Sequence, residues 1–390
     1  MVRGAGLNRP THEIREFHGA LGKPQRVPFG YKRIAQPDSA MAIVDHRRGE
    51  GIFRGLLVTV LWLQFALVTA VIVFAGYYLS TYGDVIAEKT GMGRTWVGVI
   101  LMASVTSLPE LITGASAVAI FDLPNIAIGD VFGSCMFNIL IIALLDMMSG
   151  PTPISTKAHQ GQVLAAGFGV LLLGIAGIAI SAGDRLPALG WVGLSSLAFF
   201  AIYMIAMRMV FLFEKKRIAE LVRERVEAAR YDKVTLKKAL TYYAANALLV
   251  VVAATYLPHL ADQIAVATGL GRTFVGTIFV ALATSLPELV VSIAAVKIDA
   301  TDLMFGNLLG SNLFNLLILG LDDLLYRKGP ILAHASPAHL VTANAALAMT
   351  AIAVIGLTYR VSKKRLLFGW DSWAILTVYL FAVTVVYLMI

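Results

Sequence analysis

Residues 91–118 read GMGRTWVGVILMASVTSLPELITGASAV, and residues 269–296 read GLGRTFVGTIFVALATSLPELVVSIAAV. The two strings align without a gap, and 16 of their 28 positions are identical. After a one-residue deletion a second pair follows, GDVFGSCMFNILIIALLD at 129–146 and GNLLGSNLFNLLILGLDD at 306–323, with nine of 18 positions identical. Composition would explain shared apolar residues. It does not explain Thr, Ser, Pro, Glu, Gly and Asn recurring in one register. The chain reads as an internal duplication.

The surrounding sequence says what kind of duplication. The 390 residues are 58% hydrophobic and 14% charged, with mean hydropathy +0.77. Soluble globular chains are about 45–50% apolar and about 25% charged, so too few charges remain to coat soluble domains. One cysteine, Cys135, excludes an intramolecular disulfide framework and a cysteine-based zinc site. The basic excess behind the formal charge of +8 belongs to the polar tail and the loops beside apolar runs and accompanies no DNA- or RNA-binding motif, so nucleic acid is not an expected partner.

A hydrocarbon core of roughly 30 Å takes about 20 apolar residues per helix. Runs of that kind lie at 56–80, 94–120, 124–147, 162–181, 188–213, 239–257, 272–298, 303–325, 339–358 and 367–389. The expected fold is an all-α polytopic membrane protein of ten transmembrane helices. Its segments are a loosely ordered polar tail (1–55), a first five-helix repeat (56–213), a charged linker (214–238) and a second five-helix repeat (239–390). Nothing in the tail resembles a cleaved signal peptide, and Met41 is a second possible start. Five spans separate equivalent points. Because five is odd, the repeats enter the membrane from opposite sides, an architecture common in secondary transporters with a midplane site. The second, third, seventh and eighth spans are rich in Gly, Ser, Thr and Asn and are expected inside the bundle. The first, fifth and tenth are expected to face lipid.

Loop charges give the expected orientation. Arg185, Arg272, Arg327 and Lys328 fall on the tail's side, against 17 basic residues on the other, nine of them in 214–238. By the positive-inside tendency the linker is cytoplasmic and both termini lie outside, although the tail itself carries ten basic residues, including Arg47, Arg48 and Arg54. Ile218, Leu221, Val222 and Val226 suggest an amphipathic helix on the membrane surface.

Glu110 and Glu288 lie deep in apolar spans, in the strings TSLPE (106–110) and TSLPE (284–288). A carboxylate at that depth is costly and marks an ion or proton path. Pro109 and Pro287 each remove a backbone donor, freeing carbonyl groups at Val105 and Ala283. Thr106 with Glu110, Thr284 with Glu288, Ser134 with Asn138, and Ser311 with Asn315 are all four apart, so each pair shares a helix face. The set is all oxygen, which suits hard cations rather than Zn²⁺ or Cu⁺. Ser107 and Ser285 stand beside the threonines and join the candidate metal ligands. Cys135 reads as a small packing residue, and its equivalent Asn312 need not face the site. The recurring glycines read as close-packing positions.

These strings resemble the α-repeats of the cation/Ca²⁺ exchanger superfamily, in particular its prokaryotic-type Na⁺/Ca²⁺ exchangers. The resemblance rests on both TSLPEL cores, the GSxxFN sequences and the five-plus-five layout. It implies a central site where Na⁺ and Ca²⁺ compete, with alternating access carrying them in opposite directions. By motif position, Glu110 and Glu288 would coordinate both ions. Thr106 and Thr284 would flank Ca²⁺ with backbone carbonyls near Ala103 and Ala281. Ser134 and Ser311 would serve Na⁺ sites, and Asn138 and Asn315 would line the middle. Many relatives, K⁺-dependent exchangers among them, have Asp where this chain has Asn315, which argues against K⁺ dependence. Proton-coupled relatives carry Gly-Asn-x-x-Glu where this chain has GSCMFN and GSNLFN. The linker is too short for the regulatory Ca²⁺-binding domains of animal exchangers.

The expected function is therefore secondary active antiport of Na⁺ and Ca²⁺ in a bacterial inner membrane, without a cofactor or an enzymatic step. An H⁺-coupled cation antiporter on the same scaffold, a cation channel and a non-transporting scaffold are the alternatives.

Overall fold

The computed structural model describes residues 39–224, 234–268, 284–361, 363–364 and 367–389. The chain divides into Met1–Gly51 and Ile52–Ile390, and the architecture that follows belongs to the second unit. The helices are α1 (Ser39–Thr90), α2 (Arg94–Val97), α3 (Ala103–Thr106), α4 (Leu108–Ala119), α5 (Pro124–Asp146), α6 (Gly161–Ala182), α7 (Leu194–Glu224), α8 (Leu236–Thr268), α9 (Leu286–Lys297), α10 (Thr301–Leu325), α11 (Pro337–Tyr359) and α12 (Trp370–Met389).

Eight helices among the described residues are long and apolar enough to cross a membrane, and the bent pair Arg94–Thr106 plus Leu108–Ala119 makes nine. The remaining expected span, 272–298, is described only in part, since 269–283 lie outside the described residues. The chain is a mostly helical, multi-pass integral membrane protein. Four candidate spans, α5 to α8, lie between α4 and α9, the number an inverted arrangement requires.

Some boundaries need correction. The expected tail through residue 55 is helical from Ser39, in a stretch that no proline interrupts between Pro37 and Pro109. The expected fifth span does not begin at 188. Ala188–Leu189 (β1) pairs antiparallel with Val192–Gly193 (β2) around Gly190, whose φ of 67° favours a residue without a side chain. The apolar residues of this hairpin disguise it as helix. At its other end α7 runs on to Glu224, so the first part of the linker, with Ile218, Leu221 and Val222, continues the helix beyond the candidate span, which ends at Lys216. Val226 lies outside the described residues.

Burial separates inner from outer helices. In their most apolar windows α5 and α10 are 89% buried, whereas α1 is 11% and α12 17% buried. Leu63, Leu67 and Phe74 on α1 and Leu380 and Phe381 on α12 are exposed, the apolar surface expected of a lipid-facing helix. The inner helices carry the small and polar residues, as the composition of those spans implied.

Glycine sets the closest approach. A π-helical turn, Gly98–Met102, joins α2 to α3. A Cβ on Gly98 would lie 2.7 Å from the Leu303 carbonyl oxygen, and one on Gly306 2.8 Å from that of Thr95. Backbone thus meets backbone where α2 and the π-turn cross α10.

The same local geometry recurs in the two halves. Ser107 (φ −92°, ψ 8°) separates α3 from α4, and Ser285 (φ −84°, ψ 6°) precedes α9. Pro109 and Pro287 stand in the first turn beyond each break, where a missing N–H costs nothing. The turns that follow both use an aspartate at positive φ, Asp122 at 57° and Asp299 at 61°. Leu123 N–H donates to Ala117 O at 2.8 Å, and Ala300 N–H to Ala295 O at 2.9 Å. The deletion in the repeat therefore falls in this turn.

Each central helix also ends on an aspartate clip. Asp323 accepts from the amides of Ile331 (2.6 Å) and Gly193 (2.8 Å). Asp146 accepts from the amides of Ile154 (2.7 Å) and Gly369 (2.6 Å), from Ser149 and Ser372, and faces Lys364 Nζ at 3.2 Å.

Candidate cation-binding site

Both breaks place a glutamate in the first turn of a new helix, Glu110 in α4 and Glu288 in α9. Free amides and the helix dipole at an N-terminus favour negative charge there. Both glutamates are fully buried, as are Thr106, Ser107, Ser134, Asn138, Thr284, Ser285, Ser311 and Asn315. Eleven of the twelve expected site residues can be placed. Ala281 lies outside the described residues.

The hydroxyls connect the carboxylates. Ser134 Oγ donates to Glu110 Oε1 at 3.4 Å, and the equivalent Ser311 Oγ donates to Glu288 Oε1 at 3.2 Å. Ser107 Oγ donates across the halves to the same Glu288 oxygen at 3.0 Å. Its equivalent Ser285 donates instead to Ser134 Oγ at 3.0 Å. Thr106 Oγ1 lies 3.4 Å from Ser311 Oγ, and the Ala103 carbonyl accepts from the Ser107 amide at 3.0 Å.

The second carboxylate oxygens are the telling atoms. Glu110 Oε2, Glu288 Oε2, Asn138 Oδ1 and Asn315 Oδ1 are all buried and have no hydrogen-bond partner. Buried polar atoms are normally satisfied, and each one left bare costs free energy. Four bare oxygens on α4, α5, α9 and α10 form a donor set whose chemistry suits a hard cation.

Three features lie beyond the expected set. Asn312, which need not have faced the site, touches one of the expected residues: its Oδ1 accepts from Asn138 Nδ2 at 3.0 Å, and its Nδ2 donates to Cys135 O at 3.1 Å. Asn307 is held by Thr106, Ser292 and the Glu288 carbonyl. Asp130, the residue equivalent to Asn307, is buried and accepts from Thr284 Oγ1 at 3.1 Å. The signal for Asp130 was its place four residues before Ser134, on the same helix face.

The family profile described as "Sodium/calcium exchanger protein" matches the chain twice, over residues 60–209 and 238–388. The chain belongs to that family. It is a family of exchangers, hence of transporters rather than enzymes. Among relatives of this exchanger chain, the membrane protein MJ0091 of Methanocaldococcus jannaschii is 26% identical over 299 residues, covering 76% of this chain and 88% of its own. The inner membrane protein YrbG of Escherichia coli is 26% identical over 261 residues, covering 65% of this chain and 76% of its own. Sodium/calcium exchanger MaX1 of Methanosarcina acetivorans is 41% identical over 78 residues, which cover 20% of this chain and 22% of its own. Among solved structures, the sodium-calcium exchanger NCX_Mj superposes with a TM-score of 0.64 at 23% identity, covering 84% of this chain and 99% of that one. The likeness establishes the exchanger fold.

Proposed function

We propose that this family member is a Na⁺/Ca²⁺ antiporter whose transported ions bind at Glu110 and Glu288 near the membrane midplane. The observation that carries the proposal is the set of four bare, buried oxygens on Glu110, Glu288, Asn138 and Asn315. Two ionised glutamates give the pocket a charge of −2, which one Ca²⁺ or two Na⁺ would neutralise. Ca²⁺ and several Na⁺ compete for the same few oxygens, so one displaces the other. Alternating exposure of such a site couples the two fluxes. Each net charge moved would respond to about 2.3 kcal/mol per 100 mV of membrane potential.

Within the same proposal, the exchanger sits in a bacterial inner membrane with the 214–238 linker in the cytoplasm and both termini outside. Residues 56–213 and 239–390 are its two repeats.

The test is ⁴⁵Ca²⁺ flux into proteoliposomes driven by an imposed Na⁺ gradient. The wild-type chain is expected to accumulate ⁴⁵Ca²⁺, and Glu110→Gln and Glu288→Gln are each expected to abolish it. Absence of wild-type flux, or undiminished flux in either variant, sinks the proposal. Flux that follows a pH gradient and ignores Na⁺ assigns H⁺ coupling instead. Flux with no counter-ion requirement assigns a channel.

A further inference from the structure

The site-facing sides of three helices continue past the glutamates toward one end of the molecule. On α10, Ser311, Asn315 and Asp322 are spaced by four and seven residues and so share one face. Asp322 stands about 10.5 Å along the axis beyond Asn315. On α5, Asp130 precedes Ser134 by one turn. On α4, Gly114 follows Glu110 by one turn. These three positions meet the same end, because the turn at Asp122 joins α4 to α5 and Asp122 pairs with Lys328 just beyond α10.

Asp322 is fully buried, and neither of its carboxylate oxygens has a hydrogen-bond partner. Asp130 is 4% exposed, and its Oδ2 is likewise bare. Asp130 lies near enough for its charge to act on Asp322. Gly114 makes the room: a Cβ there would lie 2.4 Å from Asp322 Oδ2. Neighbouring Asp323 is already engaged by two amides, so it does not share this role. Three buried, bare carboxylate oxygens are expensive without a cation to meet them.

The symmetry-related pair of positions carries no carboxylate. By the repeat alignment Asp130 matches Asn307, whose amide is held by Ser292, Thr106 and the Glu288 backbone. Asp322 matches Leu145. The acidic extension is one-sided and is not a by-product of the duplication.

We propose that Asp130 and Asp322 form a second binding site for a hard cation, Na⁺ or Ca²⁺, displaced from the glutamate pair toward the Asp122–Lys328 end. A cation entering from that end meets this site first. One entering from the opposite end meets Asn307 and Leu145. The proposal rests on the reading of Glu110 and Glu288 as the transport site, but its test does not depend on transport.

The test is equilibrium binding of ⁴⁵Ca²⁺ and ²²Na⁺ to the purified full-length chain carrying Glu110→Gln and Glu288→Gln together. This variant is expected to retain one cation per chain, and the isotope retained identifies it as Ca²⁺ or Na⁺. Adding Asp322→Asn is expected to remove it. Adding Asp322→Leu, the residue of the equivalent position, should do the same and gives the answer if the amide variant does not fold. No retained cation in the double variant, or retention that survives both changes at Asp322, overturns the proposal. Binding that depends on Asp322 in a chain without Na⁺-driven flux would leave the second site standing while the antiport reading falls.

Discussion

Asp146 and Asp323 occupy equivalent places at the ends of α5 and α10, and both hold the short 3₁₀ turn that follows through an amide hydrogen bond. Beyond that shared bond they diverge. Asp146 also gathers Ser149, Ser372, Gly369 and the nearly buried Lys364, and so fastens the start of α12. Asp323 adds only the Gly193 amide of the hairpin. One turn earlier than each serine, the contrast is of charge: Asp130 on α5 and Asn307 on α10. The duplicated helices kept their shape and their terminal carboxylate, while the partners gathered around equivalent positions diverged. Similar sequence therefore carries unequal energetic weight in the two halves.

Removing the clips tests that inequality most strongly. Asp146→Ala strands the Lys364 ammonium and is expected to cost about 3–5 kcal/mol, as for other broken buried pairs. Asp323→Ala leaves two amides unsatisfied and should cost about 1–3 kcal/mol. Denaturant or thermal unfolding in detergent measures both, and equal losses would break the comparison. A smaller contrast concerns glycine. Gly306→Ala drives a Cβ against the Thr95 carbonyl and Gly98 Cα, and overpacking of this kind typically costs about 1–3 kcal/mol. Gly167→Ala, in a helix with open space beside it, should instead be neutral or stabilise by up to about 1 kcal/mol. An equal fall in unfolding temperature for both would show that backbone contact at Gly306 is not what matters.

The smallest effect is at the surface. The hydrogen bond and then the charge of Asp122 hold the exposed Lys328 ammonium above the usual lysine range. A raised folded-state value means that this stabilisation is complete below the ordinary lysine pKa of about 10.4 and fades as pH climbs through the folded value. Lys328→Ala should barely shift the unfolding temperature at neutral pH, and the slight difference from wild type should vanish in strong alkali. A difference that grows with alkalinity would contradict the assignment.

Much of the fold could be read from residues alone. The prolines at 109 and 287 announced both helix breaks, since a missing amide donor and a ring clash act locally. Polar residues in the repeat announced ten positions now found buried. What the residues alone do not disclose has physical reasons. Asp130 and Asp322 differ from their repeat partners, so a search for identities passes over them. Asn312 sits about 100° from Ser311 on its helix, and only the crossing of α5 with α10 turns that face inward as well. The hairpin at 188–193 is apolar enough to pass for helix, and the π-turn at Gly98–Met102 lies where Gly98 meets the backbone of α10, a contact distant in sequence.

Ser107 reaches from the first half to Glu288 in the second, and Thr284 reaches back to Asp130. Neither half owns a complete set of partners. A substitution inherited in one copy of the repeat is thus tested at once against the other copy. The halves can lose their resemblance, as Asp130 and Asn307 already have, but Ser107 with Glu288 and Thr284 with Asp130 must stay compatible as pairs across the halves.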